Sequence, residues 1–287
     1  DEDNNQVVDS RDDLDGNGLS NAAEFRAGLD PRIDDDDFDG DGISDFDELA
    51  GTSFSAVRTI SSTAEDVRSL AKIDLDLDGD QDLLVASFED DTISWFEWVQ
   101  DGSGTGNFGA EQRVSTVADG ASAIAGGDLD GDGDPDLVAV SALSGRISWY
   151  ENDGSPRVTG DGGWGEHVLT NMAPDAKAVV VADLDGDLDK DVAYVSDAVA
   201  PEPQVAWFEN LDGQGTLARH DVTTIGGASS RASIAAGDVD DDGDTDLIVA
   251  FASADRVVWY PNDGLGLFGA AQAIDLTRDE PADLELD

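Results

Sequence analysis

The sequence predicts an all-β chain assembled from copies of one four-stranded antiparallel sheet. Three observations carry this. An acidic nonapeptide recurs at residues 74–82 (DLDLDGDQD), 128–136 (DLDGDGDPD), 183–191 (DLDGDLDKD) and 238–246 (DVDDDGDTD), in steps of 54, 55 and 55 residues. An aromatic marker keeps the same rhythm at residues 94–97 (SWFE), 148–151 (SWYE), 206–209 (AWFE) and 258–261 (VWYP). Between them lie short apolar or alternating runs bounded by Gly, Asn and Asp, with no helical period.

Each repeat reads in the same order. A small-residue strand such as residues 232–236 (ASIAA) leads into the acidic loop. An apolar strand follows, such as 246–251 (DLIVAF), then the aromatic strand, such as 256–260 (RVVWY). A Gly/Asn/Asp turn leads to a last strand, such as 107–115 (NFGAEQRVS). Four strands in about 40–55 residues is the size of one β-propeller blade. The last strand has a surplus copy, because 54–60 (FSAVRTI) precedes the first acidic loop and 267–274 (LFGAAQAI) follows the fourth. Two segments therefore compete for one place in a closed ring. A spare strand could instead pair with another chain.

Charge narrows the function. Sixty-six Asp and Glu stand against 15 Lys and Arg, a formal net charge of −51. Such a surface repels phosphates, so nucleic acid is excluded as a partner, and no apolar run approaches the length needed for membrane insertion. The acid excess does not mean disorder, because 39% of residues are hydrophobic and cluster in strand-like runs. Cysteine is absent, so bound metal is the available staple. No apolar leader is visible, and the chain is read as a mature secreted form.

The acidic loops have the chemistry of calcium sites. Ca2+ takes six to eight oxygens, and Asp at alternate positions of a tight loop gathers carboxylates about one centre. In the second repeat Asp128, Asp130, Asp132 and Asp136 would give side chains and Asp134 its carbonyl, with Gly133 at the turn. The same roles fall on Asp74, Asp76, Asp78, Asp82 and the Asp80 carbonyl, and on Asp238, Asp240, Asp242, Asp246 and the Asp244 carbonyl. The third loop offers Asp183, Asp185, Asp187, Asp191 and the Asp189 carbonyl, but Leu188 stands where the others have glycine, so its turn is expected to be strained. A lone Asp/Gly stretch can also be read as a simple solvated turn, the less favoured reading. Four at fixed spacing argue against it, because uncompensated carboxylates packed so closely repel one another.

These loops, the small-residue strand before them and the following W-[FY]-E-N resemble the FG-GAP/VCBS repeat family over about residues 54–276. The resemblance implies β-propeller blades with calcium loops and leaves the partner open. Family propellers often have seven blades, against four repeats here.

The N-terminal region differs. Asp13, Asp15, Asn17, the Leu19 carbonyl, Asn21 and Glu24 match the spacing of an EF-hand loop, with Gly18 at its turn. A second copy begins 24 residues later with Asp37, Asp39, Asp41, the Ile43 carbonyl, Asp45 and Glu48. These copies resemble thrombospondin type 3 repeats, with dockerin modules as the rival. The expected organisation is a calcium stalk over 1–52, blades over 53–276 and an acidic tail over 277–287, holding about six Ca2+ in all.

Trp95, Trp149, Trp207 and Trp259 occupy one slot of every repeat and read as blade-to-blade core. Trp98 and Trp164 break the pattern and are the candidates for an exposed contact. His167 and His220 fall in equivalent last strands. Without cysteine or a paired nucleophile and base they suggest neither a triad nor a closed zinc site. The expected function is a non-catalytic, secreted or cell-surface calcium-binding structural or adhesion protein. Its expected partner is a further copy of itself in a homopolymer, or another extracellular protein. The alternatives are a glycan-binding, lectin-like propeller and a module of a polysaccharide-acting enzyme.

Overall fold

The structure is a computed structural model. It describes residues 59–100, 106–154, 164–196, 205–223, 231–252 and 255–275. The chain divides into units 1–60 and 61–287, and the description below concerns the second. The N-terminal ligand candidates from Asp13 to Glu48, and the tail, lie outside the described residues.

Eighteen strands make four four-stranded antiparallel sheets and one small hairpin among the described residues. The first sheet holds β1 (Val67–Ile73), β2 (Asp82–Ser87) and β3 (Thr92–Phe96); the hairpin β4 (Trp98–Gln100) and β5 (Gly106–Phe108) interrupts it before β6 (Gln112–Ser115). The second holds β7 (Ala121–Gly127), β8 (Asp136–Ser141), β9 (Arg146–Glu151) and β10 (Gly165–Thr170). The third holds β11 (Ala176–Ala182), β12 (Asp191–Ser196), β13 (Val205–Asn210) and β14 (Leu217–Thr223). The fourth holds β15 (Ala232–Gly237), β16 (Asp246–Phe251), β17 (Arg256–Tyr260) and β18 (Gln272–Asp275). Every sheet takes its strands in chain order from one repeat. The protein is thus built of propeller-type blades, as the repeat pattern predicts. β18 completes the fourth blade; the competing copy at 54–60 lies, but for its last two residues, outside the described residues.

The hydrophobic cores lie between blades. Leu84, Ile93 and Trp95 of the first blade pack with Ile124, Leu137 and Tyr150 of the second. Val138, Ile147 and Trp149 pack with Val192, Tyr194 and Phe208, and Val195 and Trp207 pack with Leu247, Val249 and Tyr260. Alternation explains this: each central strand, apolar on both faces, gives one face to each neighbour. Trp95, Trp149 and Trp207 are buried as expected, whereas Trp259 of the fourth blade is only half-buried. A side chain on Gly215 would meet Trp149 and one on Gly266 would meet Trp207, so each indole lies under a turn of the next blade. Trp164 corrects the sequence reading. It is buried in the first core, only 9% exposed, because its neighbours in space come from the preceding blade. Trp98 is half-buried, edge-on to Phe108 with ring centroids 5.0 Å apart.

Candidate metal centres

Each acidic loop joins the first two strands of a blade and folds around its own aspartates. The first Asp anchors the turn: Asp128 Oδ1 and Oδ2 accept from the Gly131 and Gly133 amides at 2.8 and 3.0 Å. Asp183 does the same with the Gly186 and Leu188 amides, whereas Asp74 accepts from the Asp78 and Gly79 amides and Asp238 from the Asp242 and Gly243 amides. The fifth-position carboxylates, Asp78, Asp132, Asp187 and Asp242, each accept from the amide two residues on. These bonds hold the loop in Asx-type turns and fix where its carboxylates point.

The turn needs left-handed backbone at its sixth residue in all four loops. Gly79, Gly133 and Gly243 have φ of 97°, 96° and 94°, and Leu188 is forced to 81°. The strain expected there is present, since a side chain at positive φ is disfavoured. The fourth position is also left-handed, which sequence reading missed. Gly131 and Gly186 take it without cost, while Leu77 and Asp241 take it at φ of 57° and 62°.

The ninth residue is the buried pivot. Asp136 is fully buried; its Oδ2 accepts from the Leu129 amide and its Oδ1 from the Asn152 amide, both at 2.8 Å. Asp82, Asp191 and Asp246 repeat this with Leu75 and Trp98, Leu184 and Asn210, and Val239 and Asn262. Burial pushes the Asp136 and Asp191 carboxyls up to about 7, against the opposing pull of their two amides. Burial also raises Asp82. Asp130, Asp185 and Asp240 are raised by desolvation first, with the neighbouring Asp132, Asp187 and Asp242 adding repulsion.

Carboxylates gather within 4.8 Å of one another in every loop. The sets are Asp74, Asp76 and Asp78; Asp128, Asp130 and Asp136; Asp183, Asp185 and Asp191; Asp238, Asp240 and Asp246. The seventh-position side chains, Asp80, Asp134, Asp189 and Asp244, stand outside these sets. Asp80 accepts from Gln100 Nε2 at 2.7 Å, and the other three face the turn glycines Gly154, Gly213 and Gly264. Such a donor set can hold a metal ion. It is all hard oxygen, which fits the calcium and magnesium class rather than the thiolate- and imidazole-seeking metals. Crowding and burial fit too, since both favour a divalent cation in place of protons.

The Asn of the aromatic marker links these centres, a role the sequence did not reveal. Asn152 Nδ2 donates to Leu75 O of the preceding blade's loop at 3.3 Å and to Pro135 O of its own at 3.0 Å. Asn210 Nδ2 reaches Leu129 O at 2.8 Å and Lys190 O at 3.2 Å. Asn262 Nδ2 reaches Leu184 O at 2.6 Å and Thr245 O at 2.8 Å. Trp98 replaces this Asn in the first blade. Leu75, Leu129 and Leu184 are at most 1% exposed beneath these clasps, whereas Val239 of the last loop is 36% exposed.

Blades of this construction, each with a carboxylate-lined loop at its inner hairpin, define an acidic propeller-type repeat protein. The model of the FG-GAP-like repeat matches residues 74–139 and 128–194, so the chain carries FG-GAP-like repeats. No curated protein sequence matches it. Among solved structures it is similar to an Agrocybe aegerita lectin described as recognising non-reducing terminal N-acetylglucosamine, with 22% identity over 72% of this chain and 51% of that one, TM-score 0.48. It is also similar to a periplasmic gluconolactonase of Pseudomonas aeruginosa, 15% identical over 80% of this chain and 60% of that one, TM-score 0.49. A third likeness is to the Tc holotoxin pore of Photorhabdus luminescens, 19% identical over 78% of this chain and 10% of that one, TM-score 0.38. The chain thus spans about half to three-fifths of the first two relatives.

Proposed function

We propose that this is a secreted or cell-surface calcium-binding structural protein whose blades are locked to one another through their calcium loops, and which assembles with further copies of itself. The carrying observation is the Asn clasp. One side chain ties the loop of its own blade to that of the blade before it, so a cation that orders either loop also orders the interface. Bound Ca2+ would supply the positive charge that lets the crowded carboxylates stay ionised. The ninth Asp, beside its place among the carboxylates, also holds the loop against the aromatic strand's end, and the sixth residue sets the turn.

Assembly has its own support. The fourth blade takes 272–275 as its last strand, so the second copy of that strand in the sequence, 54–60, is the candidate donor, and Val239 of the fourth blade is exposed where its equivalents are buried. A surplus strand can pair with a neighbouring molecule. Light scattering on a sizing column tests this, in calcium and in chelator. The expected result is an assembly in calcium that falls to monomer in chelator. It should also be lost when residues 54–60 are deleted. A monomer under both conditions overturns the structural reading.

A further inference from the structure

The first three acidic loops do not stand alone, because a turn of the following blade lies on each. Over the second loop, Asn210 Nδ2 donates to Leu129 O at 2.8 Å, and a Cβ on Gly131 would lie 2.7 Å from the Gly213 carbonyl oxygen. Over the third, Asn262 Nδ2 donates to Leu184 O at 2.6 Å, and a Cβ on Gly186 would lie 3.0 Å from the Gly264 carbonyl oxygen. A Cβ on Gly266 in the same turn would lie 3.4 Å from Asp185 Cβ. Over the first, Asn152 Nδ2 donates to Leu75 O at 3.3 Å.

Each of these turns takes its position from the loop of its own blade. The ninth Asp of that loop accepts from the Asn backbone amide: Asp136 from Asn152, Asp191 from Asn210 and Asp246 from Asn262, each at 2.8 Å. The seventh Asp packs against the turn glycine, since a Cβ on Gly154, Gly213 or Gly264 would meet the carboxylate of Asp134, Asp189 or Asp244. Asp136, Asp191 and Asp246 also belong to the carboxylate sets of their loops. The residues able to gather a cation in one loop therefore hold the turn that lies on the loop before it.

Exposure shows what the overlying turn does. Leu75, Leu129 and Leu184, each next to the first Asp of a covered loop, are at most 1% exposed, against 36% for Val239 in the fourth loop. Asp238 and Asp240 are exposed, whereas the equivalent Asp74, Asp76, Asp128, Asp130, Asp183 and Asp185 are half-buried. A turn in place thus screens the carboxylates beneath it from water, and charges attract more strongly where water is excluded.

From these contacts we infer that the four loops bind calcium as one coupled series, in which an ion in one loop raises the affinity of the loops beside it. This coupling rests on the loops being the calcium sites proposed above. Ordering of the fourth loop fixes Asp246, and with it Asn262 and the turn on the third loop. The same step passes through Asp191 and Asn210 to the second loop, and through Asp136 and Asn152 to the first. The first ion of a neighbouring pair must order the shared turn, and the second binds where that turn is already in place. Such coupling is reciprocal, so it runs both ways along the series. Its links join adjacent blades, so it is strongest between nearest neighbours.

Calcium titration of the full chain, followed by NMR at the amides of Gly79, Gly133, Gly186 and Gly243, reads the four loops separately. Each of these amides donates to the first Asp of its own loop. The expected result is that all four respond over one narrow calcium range, more steeply than a single-site curve. Asp240→Asn removes one carboxylate from the exposed fourth set. It should move the Gly186 midpoint to about fivefold higher calcium or more, although every carboxylate of the third loop is intact. Asp185→Asn should do the same to Gly133 and Gly243, and serves alone should the first variant fail to melt cooperatively. Four independent single-site curves, or an effect of each variant confined to its own loop, overturn the coupling and leave the calcium sites standing. An absence of response at all four glycines overturns both.

Discussion

The side-chain amide of Asn210 donates a 2.8 Å hydrogen bond to the carbonyl of Leu129, a loop residue of the preceding blade 81 positions earlier. The same amide donates to Lys190 O in its own blade, and the Asn210 backbone amide donates to the buried carboxylate of Asp191. One residue therefore joins two acidic loops and the pivot of one of them. Replacing it with Leu leaves the Leu129 and Lys190 carbonyls without this donor, at about 1–3 kcal/mol for each unsatisfied group. Asn210→Leu should lower the melting temperature by about 5–10 °C, with the larger loss in calcium, where the clasp joins two ordered loops. Thermal melts with and without calcium check this.

Leu188 is the strained member of its position, at φ 81° where three other loops have glycine. Its side chain is 85% exposed, so little packing is lost on removing it. Leu188→Gly should raise stability by about 1 kcal/mol. It should also tighten calcium binding at the third loop, read by calorimetric titration against the parent.

Gly215 carries the next turn over Trp149. A Cβ built there would lie 2.3 Å from the indole, and its φ of 78° is left-handed. Gly215→Ala must push the second and third blades apart. A loss of about 3 kcal/mol or more is expected, together with a red-shifted tryptophan emission. Gly79→Ala provides the contrast: its φ is equally unfavourable but it has open space around it, so it should cost only the backbone strain.

Without calcium, stability should fall as pH rises. Asp136 and Asp191 are pushed up to about 7 by burial, above the ordinary carboxyl value near 4. A group whose folded pKa is raised holds its proton better in the folded state. Its contribution is complete below about pH 4 and is lost as pH climbs through 7. Asp82, Asp130, Asp185 and Asp240 shift the same way. The chelated protein should melt highest on the acid side. Calcium should reverse that order, because it takes the place of the protons. Melting temperature across pH in each condition gives the comparison.

The blades and their loops were legible because both are local. Period, strand alternation and the spacing of Asp74 to Asp82 all lie within a few residues. Leu188 showed as a departure from glycine for the same reason. Features made by neighbours in space were not legible. Asn152, Asn210 and Asn262 stand in a visible motif, but their acceptors lie 77 to 81 positions away. Trp164 looked unpatterned, yet it is core because the first blade's side chains close over it. At Leu77 and Asp241 the left-handed backbone is imposed by the loop against the residue type.

The most direct measurement is the thermal unfolding of the full chain by calorimetry at neutral pH, in excess calcium and in chelator. Each site held at a hundredfold its Kd adds about 2.7 kcal/mol. The four described loops together should therefore raise the melting temperature by at least about 10 °C. A large drop on chelation, reversed by added calcium and reduced in Asp191→Asn, is the expected result. An unchanged melt in chelator would mean that the loops close without metal, and would contradict calcium as the staple of this fold.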